Sequence, residues 1–219
     1  MVPDNIHIAH PDKLFIGGAW VESTGNGVIE IVSPNSEEVI ARVVDGTEED
    51  MDRAVAAARK AFDDGPWSTM APTERGAIVR RMGEELGKRA PELAAAWTAQ
   101  VGGLASFAPI MTGGATATMM AIAGYADSFP FVEKRPSSQV HTAIVAQEAA
   151  GVVAAIAPWN APYGIMSAKV AYAMVAGCTV IMKPSPETPL EAYIMAEAAE
   201  AAGVPAGVVN LVAAGRDAS

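Results

Sequence analysis

A single cysteine, Cys178, occurs in the 219 residues. No intramolecular disulfide can form, and no Cys–Cys or Cys–His pair has metal-ligand spacing. Histidine is almost as scarce: His7, His10 and His141 are scattered and none has a partner cysteine nearby, so no metal site is expected. Positive charge is also in deficit. Fifteen Lys and Arg face 25 Asp and Glu, a net charge of −10, which argues against a nucleic-acid partner because phosphate binding needs a basic surface. Long apolar runs are missing too. The stretches 143–157 and 165–182 are interrupted or bounded by Pro158, Gly164, Lys169 and Gly177, short of the ~20 residues of a membrane span. No basic-then-apolar leader opens the chain, so a soluble, cytoplasmic protein without a membrane partner is the expectation.

What is present suits a globular protein. Apolar residues make up 51% and charged residues 18%, ample for a hydrophobic core. Residues 1–11 read as a loose tail. The segments 14–20, 28–32 and 39–43 have strand composition, with Gly25-Asn26-Gly27 as turn chemistry between the first two. Thr47-Glu48-Glu49-Asp50 opens a helix, capped by Thr47 and acidic in its first turn. Its apolar stripe is Met51, Ala54, Val55, Ala58 and Phe62. Further helices are expected over 73–89, from about 90 to the Gly102-Gly103 pair, and over 104–127. Residues 130–145 change character and read as a β arm, suited either to pairing with another subunit or to serving as an ordinary surface hairpin.

From Gly151 the pattern becomes regular. Residues 151–156, 178–182 and 208–212 are short apolar strands, and the helices between them end at Gly177 and Gly203. Thr188-Pro189-Leu190-Glu191 reads as a capping box for the second of these helices. Strands alternating with helices over short connections imply a parallel sheet with right-handed crossovers, a three-layer doubly wound α/β fold. Such sheets bind ligands beyond the carboxyl ends of their strands. Pro158-Trp159-Asn160 occupies that end of the first strand and Lys183 that of the second. The usual GxGxxG turn is absent, and a lysine stands where the ribose-binding acid is normally found.

These segments resemble the aldehyde dehydrogenase superfamily. Pro158–Asn160, Ala176–Val180 and Lys183–Ser185 are similar to its PWN, AGNTV and KPS segments. The likeness continues through Phe15–Trp20, Asp52–Val55, Gly65–Trp67, Glu74-Arg75 and Gly203–Val208. The resemblance implies a partial NAD(P)-binding domain over 12–129 and 146–219, with an oligomerisation-type arm over 130–145. It implies that Asn160 donates to the oxyanion of a thiohemiacetal, a device worth about 3–4 kcal/mol in related acyl-transfer sites. Ile156, Ala157, Pro158 and Trp159 would line the nicotinamide and phosphate side of NAD or NADP, and Lys183 would bind the adenosine ribose.

For each of these residues a plainer reading stands beside the functional one. Asn160 also reads as a helix cap, and Trp159 as core packing. Ser185 either faces a 2′-phosphate or begins a turn. The acid that the family carries three residues after the lysine is Pro186 here, and Glu187 falls one place later, which leaves NAD and NADP both open. Cys178 matches a position where the family often has asparagine, and reads as an inert core thiol. The nucleophile and general base of the family would lie beyond residue 219, so the chain is expected to be an N-terminal portion, inactive alone. The implied activity is oxidation of a small-molecule aldehyde to a carboxylate by a homo-oligomer. The residues also admit a non-catalytic nucleotide-binding or assembly module, and an acyl-phosphate or acyl-CoA reductase.

Overall fold

Gly17 and Gly18, both at positive φ (64° and 81°), turn the chain from β1 (Leu14–Ile16) directly back into β2 (Ala19–Val21). Left-handed backbone at two successive positions is cheap only for glycine. The computed structural model describes residues 5–218. After this hairpin, β3 (Gly27–Val32) and β4 (Val39–Asp45) pair antiparallel as a separate two-stranded sheet. Four helices follow: α1 (Glu48–Asp63), α2 (Pro72–Lys88), α3 (Ala90–Val101) and α4 (Ala108–Tyr125). The expected cap of α1 is formed. Thr47 Oγ1 accepts from the Asp50 N–H at 3.2 Å, and Asp50 accepts from the Thr47 N–H at 3.0 Å.

The arm is a hairpin of β5 (Val132–Pro136) and β6 (Thr142–Ala146), in unbroken antiparallel register and largely exposed. The regular half then runs β7 (Val152–Ile156), α5 (Pro162–Ala176), β8 (Thr179–Lys183), α6 (Leu190–Ala201) and β9 (Val209–Leu211). β7, β8 and β9 are parallel, and the sheet order is β2-β1-β9-β8-β7. β1 joins β9 antiparallel, so the N-terminal hairpin extends the three parallel strands to five. Every residue of β8 is buried, as the central strand of a doubly covered sheet requires. On one face Ala54 and Ala58 of α1 pack with Ile16, Ile181 and Val212. On the other, α5 and α6 contribute Val170, Met174, Ile194 and Met195 to the larger core, behind which α2, α3 and α4 pack.

Two expectations fail in instructive ways. Residues 5–11 are not a loose tail: Ile6 and Ile8 are buried in the core. The His7 N–H donates to Glu92, the Ala9 N–H donates to Glu197, and Arg89 donates to the His7 carbonyl. The remainder of the expected tail, residues 1–4, lies outside the described residues. Nor does Thr188–Glu191 form a capping box. Thr188 Oγ1 is buried without a partner among the described residues, and the first free N–H of α6, on Leu190, donates instead to Gln100 Oε1 of α3 at 3.2 Å. The helix is capped by a side chain 90 residues away.

Candidate functional site

The parallel register of β7 and β8 sets Ile156 beside Lys183, so both strands end at one level. One further bond, from the Ala157 N–H to the Lys183 carbonyl at 3.3 Å, carries the pairing past the strand ends. Beyond it Pro158, Trp159 and Asn160 come to the surface. Trp159 is 58% exposed and Ile156 55%, so neither is core packing; together they form an apolar strip along the outer edge of the sheet.

Asn160 is exposed and does not cap α5. The N-cap residue is Ala161, no side-chain cap bond is made, and the Asn160 amide has no hydrogen-bond partner among the described residues. Pro162 takes the first helical position, where its missing N–H costs nothing. Tyr163 turns inward, its hydroxyl 2.7 Å from Thr116 Oγ1 of α4, which anchors the first turn of α5 to the helical layer. Burial, with smaller effects from Thr116 and Glu191, raises the Tyr163 phenol to about 12, so it stays protonated at neutral pH.

Lys169, two turns into α5, donates from Nζ to the Ile156 carbonyl at 2.9 Å. The bond ties the helix back to the end of β7 and fixes the strip at its root. Nothing singled Lys169 out beforehand except that it is the lone charge in an otherwise apolar helix.

Lys183 is 8% exposed at the end of β8. Burial lowers its pKa, the nearby negative charges of Glu187 and Asp45 oppose that, and Arg216 adds to it. Ser185 donates from Oγ to Glu187, so serine and acid are held together beside the lysine. Asp45, at the end of β4, accepts from the Gly215 N–H at 2.9 Å and joins this group from a different sheet. Neither Asp45 nor Arg216 carried a sequence signal. The arrangement offers a cation and a carboxylate to a ligand's hydroxyl groups, next to an apolar strip and an unengaged amide.

Cys178 lies at the other end of β8. It is 3% exposed, its N–H donates to the Ala173 carbonyl at 2.9 Å, and its carbonyl accepts from Trp67 Nε1 at 2.9 Å. Lys183 lies five residue steps further along the strand, roughly 16 Å away. The only thiol is therefore walled off from the exposed strand ends. Among the described residues no cluster of His, Cys, Asp and Glu is placed to hold a metal ion, and no helix is long and apolar enough to cross a membrane.

A sequence profile described as the aldehyde dehydrogenase family matches residues 20–219. "Aldehyde dehydrogenase 1" of Tanacetum cinerariifolium is 40% identical over 201 residues, covering 91% of this chain and 40% of the relative. "Geranial dehydrogenase" of Castellaniella defragrans is 36% identical over 200 residues, covering 91% of this chain and 42% of the relative. Among solved structures, a betaine aldehyde dehydrogenase from Staphylococcus aureus in complex with NAD+ superposes with a TM-score of 0.90 at 34% identity, over 95% of this chain and 42% of that one. A Mycobacterium tuberculosis aldehyde dehydrogenase complexed with NAD+ gives 0.89 at 36%, over 97% and 44%. The chain thus spans about two-fifths of the length of the proteins it matches.

Proposed function

The chain belongs to the aldehyde dehydrogenase family, and we propose that it supplies the oxyanion amide and much of the dinucleotide surface for oxidation of an aldehyde to a carboxylate. The observation that carries this reading is the exposed amide of Asn160, unengaged among the described residues, in the loop that follows β7, whose last residue Ile156 pairs with Lys183 at the end of β8. Unsatisfied donors are costly in a buried setting but are what a developing oxyanion requires. A thiolate that none of these residues can furnish would attack the aldehyde, and Asn160 would donate to the oxygen as it gains charge. NAD or NADP, when bound, supplies the hydride acceptor.

The residues present fit a dinucleotide. Lys183, with the negative charge of Glu187 nearby, offers a cation and a carboxylate suited to the two hydroxyls of a ribose. Ile156, Pro158 and Trp159, all exposed, offer apolar surface for the nicotinamide and phosphate side, while the Ala157 side chain is buried in the core behind them. Lys169, by holding the Ile156 carbonyl, keeps that surface in place. Glu187 is fixed by Ser185 and carries the charge that would repel a 2′-phosphate, which favours NAD over NADP.

In a form of the protein that includes a nucleophilic cysteine, Asn160→Ala is expected to lower turnover by about 10²–10³ with little change in cofactor affinity. Unchanged turnover would remove Asn160 from the mechanism. A second reading, an assembly or nucleotide-binding module without chemistry, is favoured for the 219 residues alone by the burial of Cys178. Both readings are compatible with a homo-oligomer in a cytoplasmic setting, joined through the exposed arm.

A further inference from the structure

Arg75, in the first turn of α2, is 5% exposed. Its Nε donates to the Val175 carbonyl at 3.1 Å and its Nη1 to the Met70 carbonyl. The first of these bonds closes the last turn of α5, where a cation also meets the negative end of the helix dipole. Nη2 has no acceptor, and the guanidinium pairs with no carboxylate, among the described residues. A buried cation without a counter-ion is expensive. Burial accordingly holds its pKa below the ordinary arginine value, with Cys178 acting in the opposite direction.

Arg75 lines a cavity of about 430 Å³ between the end of α1, the start of α2 and the base of the arm. Phe62 and Phe131 form aromatic walls, and the Phe131 ring centre lies 5.7 Å from the guanidinium carbon. Ala149 and Ala176 add small apolar surface. Of the polar lining, the Ser68 hydroxyl is already engaged with the Phe62 carbonyl at 2.8 Å. The cavity is near the Cys178 end of β8, opposite the strand ends that carry Asn160 and Lys183.

We propose that this cavity binds a small organic carboxylate, which accepts hydrogen bonds from Nη2 of Arg75 and lays its apolar body against Phe62 and Phe131. Charge-assisted bonds to a guanidinium suit the planar carboxylate. The exposed Glu148 on the same lining disfavours a dianion, so a monocarboxylate is selected over phosphate. Val132, Ala146 and Gln147 of the lining belong to the arm or its base, so the occupant would also tie the arm to the body. The inference does not depend on the aldehyde-oxidising reading.

Calorimetric titration of the 219-residue chain with sodium benzoate, benzamide and inorganic phosphate tests it. Benzoate should saturate a single site, and benzamide and phosphate should bind roughly tenfold more weakly or not at all. Arg75→Met should abolish benzoate binding. Because Arg75 also closes α5, a second variant that keeps it stands beside the first: Ala176→Tyr replaces the exposed alanine by a ring that obstructs the cavity while the guanidinium stays, and it too should abolish binding. Absence of saturable benzoate binding, equal binding of benzamide or phosphate, or unchanged benzoate affinity in Ala176→Tyr would each overturn the proposal.

Discussion

Gln100 of α3 donates from its amide nitrogen to the carboxyl of Glu191, while its amide oxygen accepts the Leu190 N–H. One side chain thus joins two helices and caps the second. Glu191 is wholly buried, its Oε1 has no partner among the described residues, and burial raises its pKa from 4.5 to about 8, with its own backbone N–H and Gln100 opposing the rise.

A pH dependence of stability follows. A carboxyl whose folded value lies above its unfolded value keeps its proton in the folded protein while the unfolded chain releases it. Its contribution is intact below the unfolded value of 4.5 and is progressively lost as pH rises toward about 8. The slope is at most about 1.4 kcal/mol per pH unit for one proton. Glu191→Gln should remove this decline in urea unfolding curves taken between pH 5 and 8 (about the window set by the two values). Parallel pH profiles for the parent and the variant would exclude Glu191 as its source.

The cap itself can be dissected. Gln100→Ala leaves the Leu190 N–H and the Glu191 carboxyl without their partner and should cost roughly 2–4 kcal/mol. Thr188→Val should be neutral or slightly stabilising, because its buried hydroxyl has no hydrogen-bond partner among the described residues. A loss of about 1 kcal/mol on Thr188→Val would instead restore the capping box that the local sequence suggests.

On the proposed assignment of Glu187 to the ribose, Glu187→Gln should narrow the discrimination between NAD+ and NADP+ by roughly tenfold, through removal of one negative charge. Calorimetric titration with each dinucleotide reads the ratio directly. A ratio unmoved by the substitution would show that Glu187 does not face the ribose.

The 219-residue chain should form no NADH from a simple aldehyde, and Cys178→Ser should change nothing, because the thiol is buried at the far end of β8. NADH formation that disappears in Cys178→Ser would refute this assignment.

Association is expected at micromolar concentration. The β7 edge exposes Ala154 and Ile156, and the arm exposes Val132 and Ile144; open strand edges and apolar surface promote pairing. Light scattering on the parent and on Ile144→Lys should show larger species in the parent. A monodisperse parent monomer would contradict it.

Where the determinants were local, the sequence was legible. Thr47 and Asp50 are three residues apart, and their capping box formed as expected. Gly177 and Gly203 take the left-handed conformation that ends α5 and α6. The alternation of apolar strands with helices specified the parallel β7-β8-β9 core. The motif segments fall at the carboxyl ends of two parallel strands, Lys183 as the last residue of β8 and Asn160 in the loop that follows β7.

Long-range pairing was settled only by tertiary structure. The addition of β1 to β9 joins residues almost 200 apart, and no periodicity encodes it. Residues 5–11, which read locally as a loose tail, are fixed by Glu92, Arg89 and Glu197, which supply partners for their backbone. Asp45, Lys169 and Arg75 acquired their surroundings from segments distant in the chain. The reason is physical: caps, turns and hydrophobic period depend on neighbours within a few residues, whereas burial, charge compensation and the filling of backbone donors depend on what the packed chain brings within about 3 Å.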